Sequence, residues 1–73
     1  MKIVSVDNVE ILPEDVKRLQ VHGEVKIYDN VPTVEEGIKR IQDADIVIDN
    51  WFDIPQKVIK NAKKLRMISV AAV

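Results

Sequence analysis

The chain has 73 residues, 47% of them hydrophobic and 32% charged, and eleven basic against twelve acidic side chains leave a formal net charge of −1. This mixture excludes collagen-like, mucin-like and acidic-tail classes, and near-neutrality leaves no global field to draw in nucleic acid or an anionic membrane. With no cysteine and one histidine, neither a disulfide nor a thiolate or imidazole cage can brace so short a chain, which leaves oligomerisation, tight packing or membership of something larger.

Lys2–Asp7 (KIVSVD) is rich in β-branched residues and predicts a first strand. Pro13–Gln20 carries Val16 and Leu19 on one side and has Gly23 beyond it as a stop, which predicts a short helix. Glu24–Tyr28 (EVKIY) alternates polar and apolar, the pattern of a half-exposed or edge strand. Thr33-Val-Glu-Glu36 then reads as a capping box, the Thr33 side chain accepting the Glu36 amide while Glu36 reaches back to the Thr33 amide. Val34, Ile38 and Ile41 follow on one face of that second helix. Gly37 inside it costs about 1 kcal/mol against Ala, a reason to expect close packing there.

Asp45–Asp49 (DIVID) predicts the third strand, and Pro55 opens a third helix, where its missing amide has no partner to lose. Val58, Ile59, Ala62 and Leu65 form the expected buried stripe of that helix. Arg66–Val73 (RMISVAAV) is almost uninterrupted apolar sequence, the signature of a strand covered on both faces. The order is β-α-β-α-β-α-β over residues 1–73 with no internal boundary. It predicts an α/β fold, a parallel sheet joined by right-handed helical crossovers. Because the sequence stops on the last strand, the expectation is an incomplete α/β unit.

Ligands of open parallel sheets sit beyond the carboxyl ends of the strands. Three strands here end in the same dipeptide: Asp7-Asn8, Asp29-Asn30 and Asp49-Asn50. Turn chemistry accounts for such residues; a ligand site, or carboxylates clustered around a hydrated Mg²⁺, are the alternatives. Trp51 and Phe52 follow on the same rim and are expected to pack beneath the third helix, with a lid over a pocket as the other option. His22 falls at the opposite rim and is expected to be a solvated surface residue rather than a base. Lys57, Lys60, Lys63, Lys64 and Arg66 read as a solvated face whose charge suits a helix C-terminus, with phosphate binding as the alternative.

Two glycines cannot supply a G-x-G-x-x-G fingerprint or a P-loop, and there is no nucleophile elbow. Ser5 and Ser69 lie inside strands. No residue is assigned a catalytic or metal-binding role. No apolar run approaches the ~20 residues of a membrane span, and Ile3–Val6 is shorter than a signal-peptide core of ~7–15, so a cytoplasmic protein is expected.

Met1–Asp7, Gly23–Pro32 (GEVKIYDNVP), the Thr33–Glu36 helix opening, Asp43–Asn50 (DADIVIDN) and Lys64–Val73 (KLRMISVAAV) occur in an order and spacing that resemble one family. It is the D-isomer-specific 2-hydroxyacid dehydrogenases, at the start of their substrate-binding domain. In that family the last strand runs into V-A-G-x-G-x-D-N-I-D. Here Val70-Ala71-Ala72-Val73 matches its opening, with Ala72 where Gly is common. The resemblance implies a flavodoxin-like sheet of order 2-1-3-4, with the fifth strand and the Rossmann domain absent. It further implies that the loops after the third and fourth strands help hold a substrate carboxylate, which points to Asn50, Trp51, Val70, Ala71 and Ala72.

The parent activity would be hydride transfer between NAD(P) and a 2-hydroxy or 2-keto acid. This chain alone would bind no cofactor and catalyse nothing, because the family's nicotinamide site and its Arg, Glu and His would lie beyond residue 73. Two other readings stand beside it. One is a self-assembling half-fold, motivated by an unpartnered edge on the last strand and predicting a homodimer or larger species. The other is a receiver-like phosphoacceptor module suggested by DIVID and Pro55, which lacks an acidic pair at Asp7-Asn8 and a Lys after a fifth strand.

Overall fold

A computed structural model describes residues 1–7 and 11–70. The elements are β1 (Lys2–Ser5), α1 (Pro13–Gln20), β2 (Glu24–Ile27), α2 (Val34–Ile41), β3 (Ile46–Asp49), α3 (Gln56–Asn61) and β4 (Met67–Val70). All strand pairs are parallel and the sheet order is β2-β1-β3-β4. The α/β open sheet and its flavodoxin-like order are therefore those expected from the sequence. Ser5 stands opposite both Ile27 and Ile48, and Asp49 opposite Val70, so the carboxyl ends of the strands share one rim.

Side chains alternate across a strand, and that alternation divides β1 between two environments. Val4 and Val6 join Val47, Ile41, Ala44, Phe52, Val58 and Ala62 in one core beneath α2 and α3. Right-handed crossovers put α1 on the opposite face, where it packs along β2 and buries none of its own residues completely. β2 is a largely exposed edge strand, as its alternation predicts.

α2 begins as expected at Thr33, whose hydroxyl accepts from the Glu36 amide at 3.2 Å. The second half of the expected box is different: the Glu36 carboxylate accepts from Arg40 Nε at 3.2 Å. The buried stripe also differs. Gly37, Arg40 and Ile41 face inward, Ile38 is half-buried and Val34 is exposed. The roll of the helix follows from Gly37, where a Cβ would stand 2.5 Å from the Phe52 ring. The close packing expected at that glycine is real, and it aims the helix at Phe52 rather than at its Val34 face.

In α3, Val58 is buried but Ile59 is exposed; the helix ends at Asn61, so buried Ala62 and half-buried Leu65 belong to the turn that follows. Gly23 does not stop α1, which closes on Val21 in right-handed conformation. Its φ is +156°, and a Cβ there would meet the Met1 carbonyl oxygen at 2.0 Å, so it serves the approach of two backbones before β2.

β4 departs furthest from expectation. All four of its residues are exposed, Val70 at 64%, where the apolar run predicts a strand covered on both faces. The physical reason is neighbourhood: among the described elements β4 packs extensively only on β3, its strand partner, and no helix packs to a similar extent over its faces.

Candidate functional site

β1 ends at Ser5, but Val6 still donates its amide to the Ile48 carbonyl at 3.0 Å, which carries the chain to a fully buried Asp7 beside the end of β3. There the Asp7 carboxylate accepts three consecutive backbone N–H groups from the turn between β3 and α3. Asn50 donates to Oδ1 at 3.0 Å; Trp51 and Phe52 donate to Oδ2 at 2.6 and 2.5 Å. Successive amides of this kind form an anion-binding nest, and the protein fills this one with its own carboxylate.

Asp49 lies against the same cluster, only 8% exposed, and its Oδ1 has no hydrogen-bond partner among the described residues. Burial pushes its pKa up from 3.8 to about 6; the hydrogen bond to Asp7 and the charge of Asp7 add to the rise, against the amides of Asn50 and Phe52. A second negative charge is disfavoured where one is already sequestered from water.

The three Asp-Asn dipeptides thus have different fates. Asp7 anchors a turn, Asp49 is a buried acid and Asp29 faces solvent; Asn8 lies outside the described residues. Asn30 is the partner of Arg40, the residue the sequence reading missed. Arg40 Nη1 donates to the carbonyls of Val6 and Asn30 at 2.9 and 2.8 Å, and Nη2 to Asn30 Oδ1 at 2.6 Å. Its guanidinium also lies 4.2 Å from the centre of the Tyr28 ring. One buried cation therefore ties α2 to β1 and to the loop after β2. The available signal was the Glu36/Arg40 spacing of four, with Arg40 flanking the Gly37–Ile41 face. Among the described residues no group of three or more His, Cys, Asp or Glu could hold a metal ion.

Trp51 and Phe52 separate. Phe52 is 6% exposed and fills the core under Gly37, whereas Trp51 is 69% exposed. The expectation that both pack under α3 fails for Trp51, because the amides of both residues point to Asp7 and consecutive side chains then leave in different directions. Half-buried Asn50 follows Asp49, whose register partner is Val70. The fold thus brings Asn50, Trp51 and Val70 to adjacent strand ends; Ala71 and Ala72 lie outside the described residues.

His22 is exposed in the turn before β2, and Lys57, Lys60, Lys63, Lys64 and Arg66 are all exposed. An open cleft at the amino ends of the strands is lined by Met1, Lys2, Gly23, Glu24, Asp43, Asp45 and Lys64. Its Asp45 carboxylate is committed to the Lys2 amide at 2.7 Å.

No protein-family model matches the chain. A hydroxypyruvate reductase of Blautia hydrogenotrophica is 38% identical over 76 residues, a stretch covering 99% of this chain and 24% of the reductase. The solved structure of an acyclic imino acid reductase, in complex with NADPH and D-Arg, superposes with a TM-score of 0.85 at 27% identity, over 96% of this chain and 23% of that one. The chain spans about a quarter of the length of these two proteins. Hydroxypyruvate reductase is a D-2-hydroxyacid dehydrogenase, so the likeness to that family read from the sequence is borne out.

Proposed function

We propose that residues 1–73 act as part of the substrate-binding domain of an NAD(P)-dependent oxidoreductase that interconverts a small 2-keto acid and its D-2-hydroxy acid. The observation that carries this reading is the rim itself: a turn pinned by Asp7 presents Asn50 and exposed Trp51 beside Val70 at the end of β4. Asn50, Trp51 and the backbone from Val70 through Ala71 and Ala72 are the proposed contacts to the substrate carboxylate, with Trp51 supplying an apolar wall. The nicotinamide cofactor is held by another part of the enzyme, since hydride transfer needs a dinucleotide site and an acid–base group that these residues do not provide. A cytoplasmic location accompanies this reading, in keeping with a cysteine-free sequence.

The test is a chimera in which the aligned segment of the Blautia reductase is replaced by this chain. The chimera should reduce hydroxypyruvate or another 2-keto acid with NADH or NADPH, while the 73-residue chain alone should not. A folded chimera that binds cofactor but turns over no 2-keto acid contradicts the proposal.

Exposed β4 favours a second reading, self-assembly of the 73-residue chain. The accessible surface is 5100 Å², against roughly 4600 Å² for a monomer of this mass. The β2 edge carries Glu24 and Lys26, whereas Met67–Val70 contains no charge to deter pairing. Light scattering at micromolar concentration should then report a dimer or larger species; a monomeric mass rejects this reading.

A further inference from the structure

We propose that Asp7 and Asp49 form a carboxylate–carboxylic acid pair holding one proton in common, and that this proton is a latch on the Asn50–Phe52 turn and so on the position of Trp51. The inference rests on the reading that this turn faces substrate, and it assigns that site a control the reading does not contain.

Three features of the geometry support the latch. Asp7 is fully buried and both its oxygens accept amides from the turn, so its negative charge is what holds the turn down. Asp49 is buried at the end of β3, next to the Asn50 amide that Asp7 holds, and its Oδ1 has no hydrogen-bond partner among the described residues; two carboxyls can share a hydrogen bond only if one carries a proton. Among the described residues no buried cation is free to offset a second charge. The buried cation of the region, Arg40 on α2, is committed to the Val6 and Asn30 carbonyls and to Glu36. On the neighbouring elements, Asp53 of the turn, Lys57 and Lys60 of α3 and Asp29 after β2 are all exposed to water, and Arg66 sits at the opposite end of β4, bonded through its amide to the Asp45 carbonyl.

With the proton present, the Asp49 hydroxyl donates to Asp7 and the turn is locked. When it leaves to solvent, two carboxylates face each other in a buried site, and the cheapest relief is to let the turn lift and admit water. Burial and the neighbouring Asp7 push the Asp49 carboxyl up to about 6, so the latch holds the turn in mild acid and releases it toward neutrality.

The test uses the isotope-labelled 73-residue chain in an NMR titration from about pH 4.5 to about pH 8, a span bracketing the raised carboxyl. The Asp49 carboxyl carbon should titrate with a midpoint of about 6, and the Asn50, Trp51 and Phe52 amides should move with the same midpoint. Exchange protection of the Trp51 and Phe52 amides should fall roughly tenfold across that step. Asp49→Asn keeps a neutral donor for Asp7, so it should leave the three amides at their acid-side positions and abolish the step. His22→Gln should retain the step, which separates it from the imidazole.

Amides that stay flat in the wild type, a step that survives in Asp49→Asn, or one that disappears in His22→Gln would each overturn the latch. If Asp49→Asn does not fold, the wild-type carboxyl and amide titrations decide by themselves. Failure of the chimera with an intact step removes the substrate reading and leaves the latch; turnover with flat amides does the reverse.

Discussion

The carboxyl rim over β1 and β3 and the strand β4 are held in opposite ways. At the rim, two buried charged side chains reach across the chain: Asp7 takes three amides from the next turn, and Arg40 closes α2 onto β1 and the loop after β2. Among the described residues β4 is held chiefly by its ladder to β3, and every residue in it is exposed. The difference teaches that here order comes from polar groups buried with partners in place, while a run of apolar residues guarantees no cover. Such partners are costly to remove singly, because each leaves another buried group unpaired.

The largest expected effect is at the rim. Arg40→Ala strips partners from the Val6 and Asn30 carbonyls and should lower unfolding stability by about 3 kcal/mol in urea titration. Arg40→Lys should recover only part of it, having no planar fork. A loss below about 1 kcal/mol for Arg40→Ala would break the comparison.

Next in size is the pH dependence from Asp49. Its pKa is raised from 3.8 to about 6 on folding, so between those values the native state binds more protons than the unfolded chain. Stability from this group is therefore full below about pH 4 and falls as pH rises through about 6, by on the order of 2–3 kcal/mol. Subtracting the Asp49→Asn profile from the wild-type one isolates this slope; a difference that rises with pH contradicts the assignment.

Gly37→Ala follows, at about 2 kcal/mol, since the new methyl meets the Phe52 ring at 2.5 Å in a packed core. A Phe52→Leu background should reduce that cost, which a double-mutant cycle would measure. Smallest is Val70→Lys, which should change monomer stability by less than about 0.5 kcal/mol because Val70 is already in solvent. The same substitution should dissolve any dimer built on β4, so it separates folding from assembly.

Much of this contrast could be read from the sequence, and the part that could not has a common cause. Strand and helix order, the Thr33 cap and close packing at Gly37 follow from local pattern, whereas the 2-1-3-4 order of the sheet is implied by the family resemblance. The capping box misled in one respect, because Glu36 has a second suitor in Arg40 one turn on. Arg40 itself was hidden since its main partners, Val6 and Asn30, are distant in sequence. The roll of α2 depends on where Phe52 lands, and Trp51 and Phe52 are told apart only by Asp7 holding both their amides. β4 shows the converse limit: apolar composition states what a strand could bury, and its neighbours decide whether it does. At the rim, the Asp-Asn repeats look alike in sequence, and their equal appearance concealed three unequal roles.

The most direct test of the functional account is the effect of Trp51→Ala on 2-keto acid reduction by the chimera described above. If the Asp7-pinned turn presents Trp51 to the substrate, KM for the acid should rise about tenfold with KM for the nicotinamide cofactor unchanged, the signature of lost substrate binding. An unchanged KM for the acid in an active, folded chimera would contradict the claim that this turn is part of the substrate site.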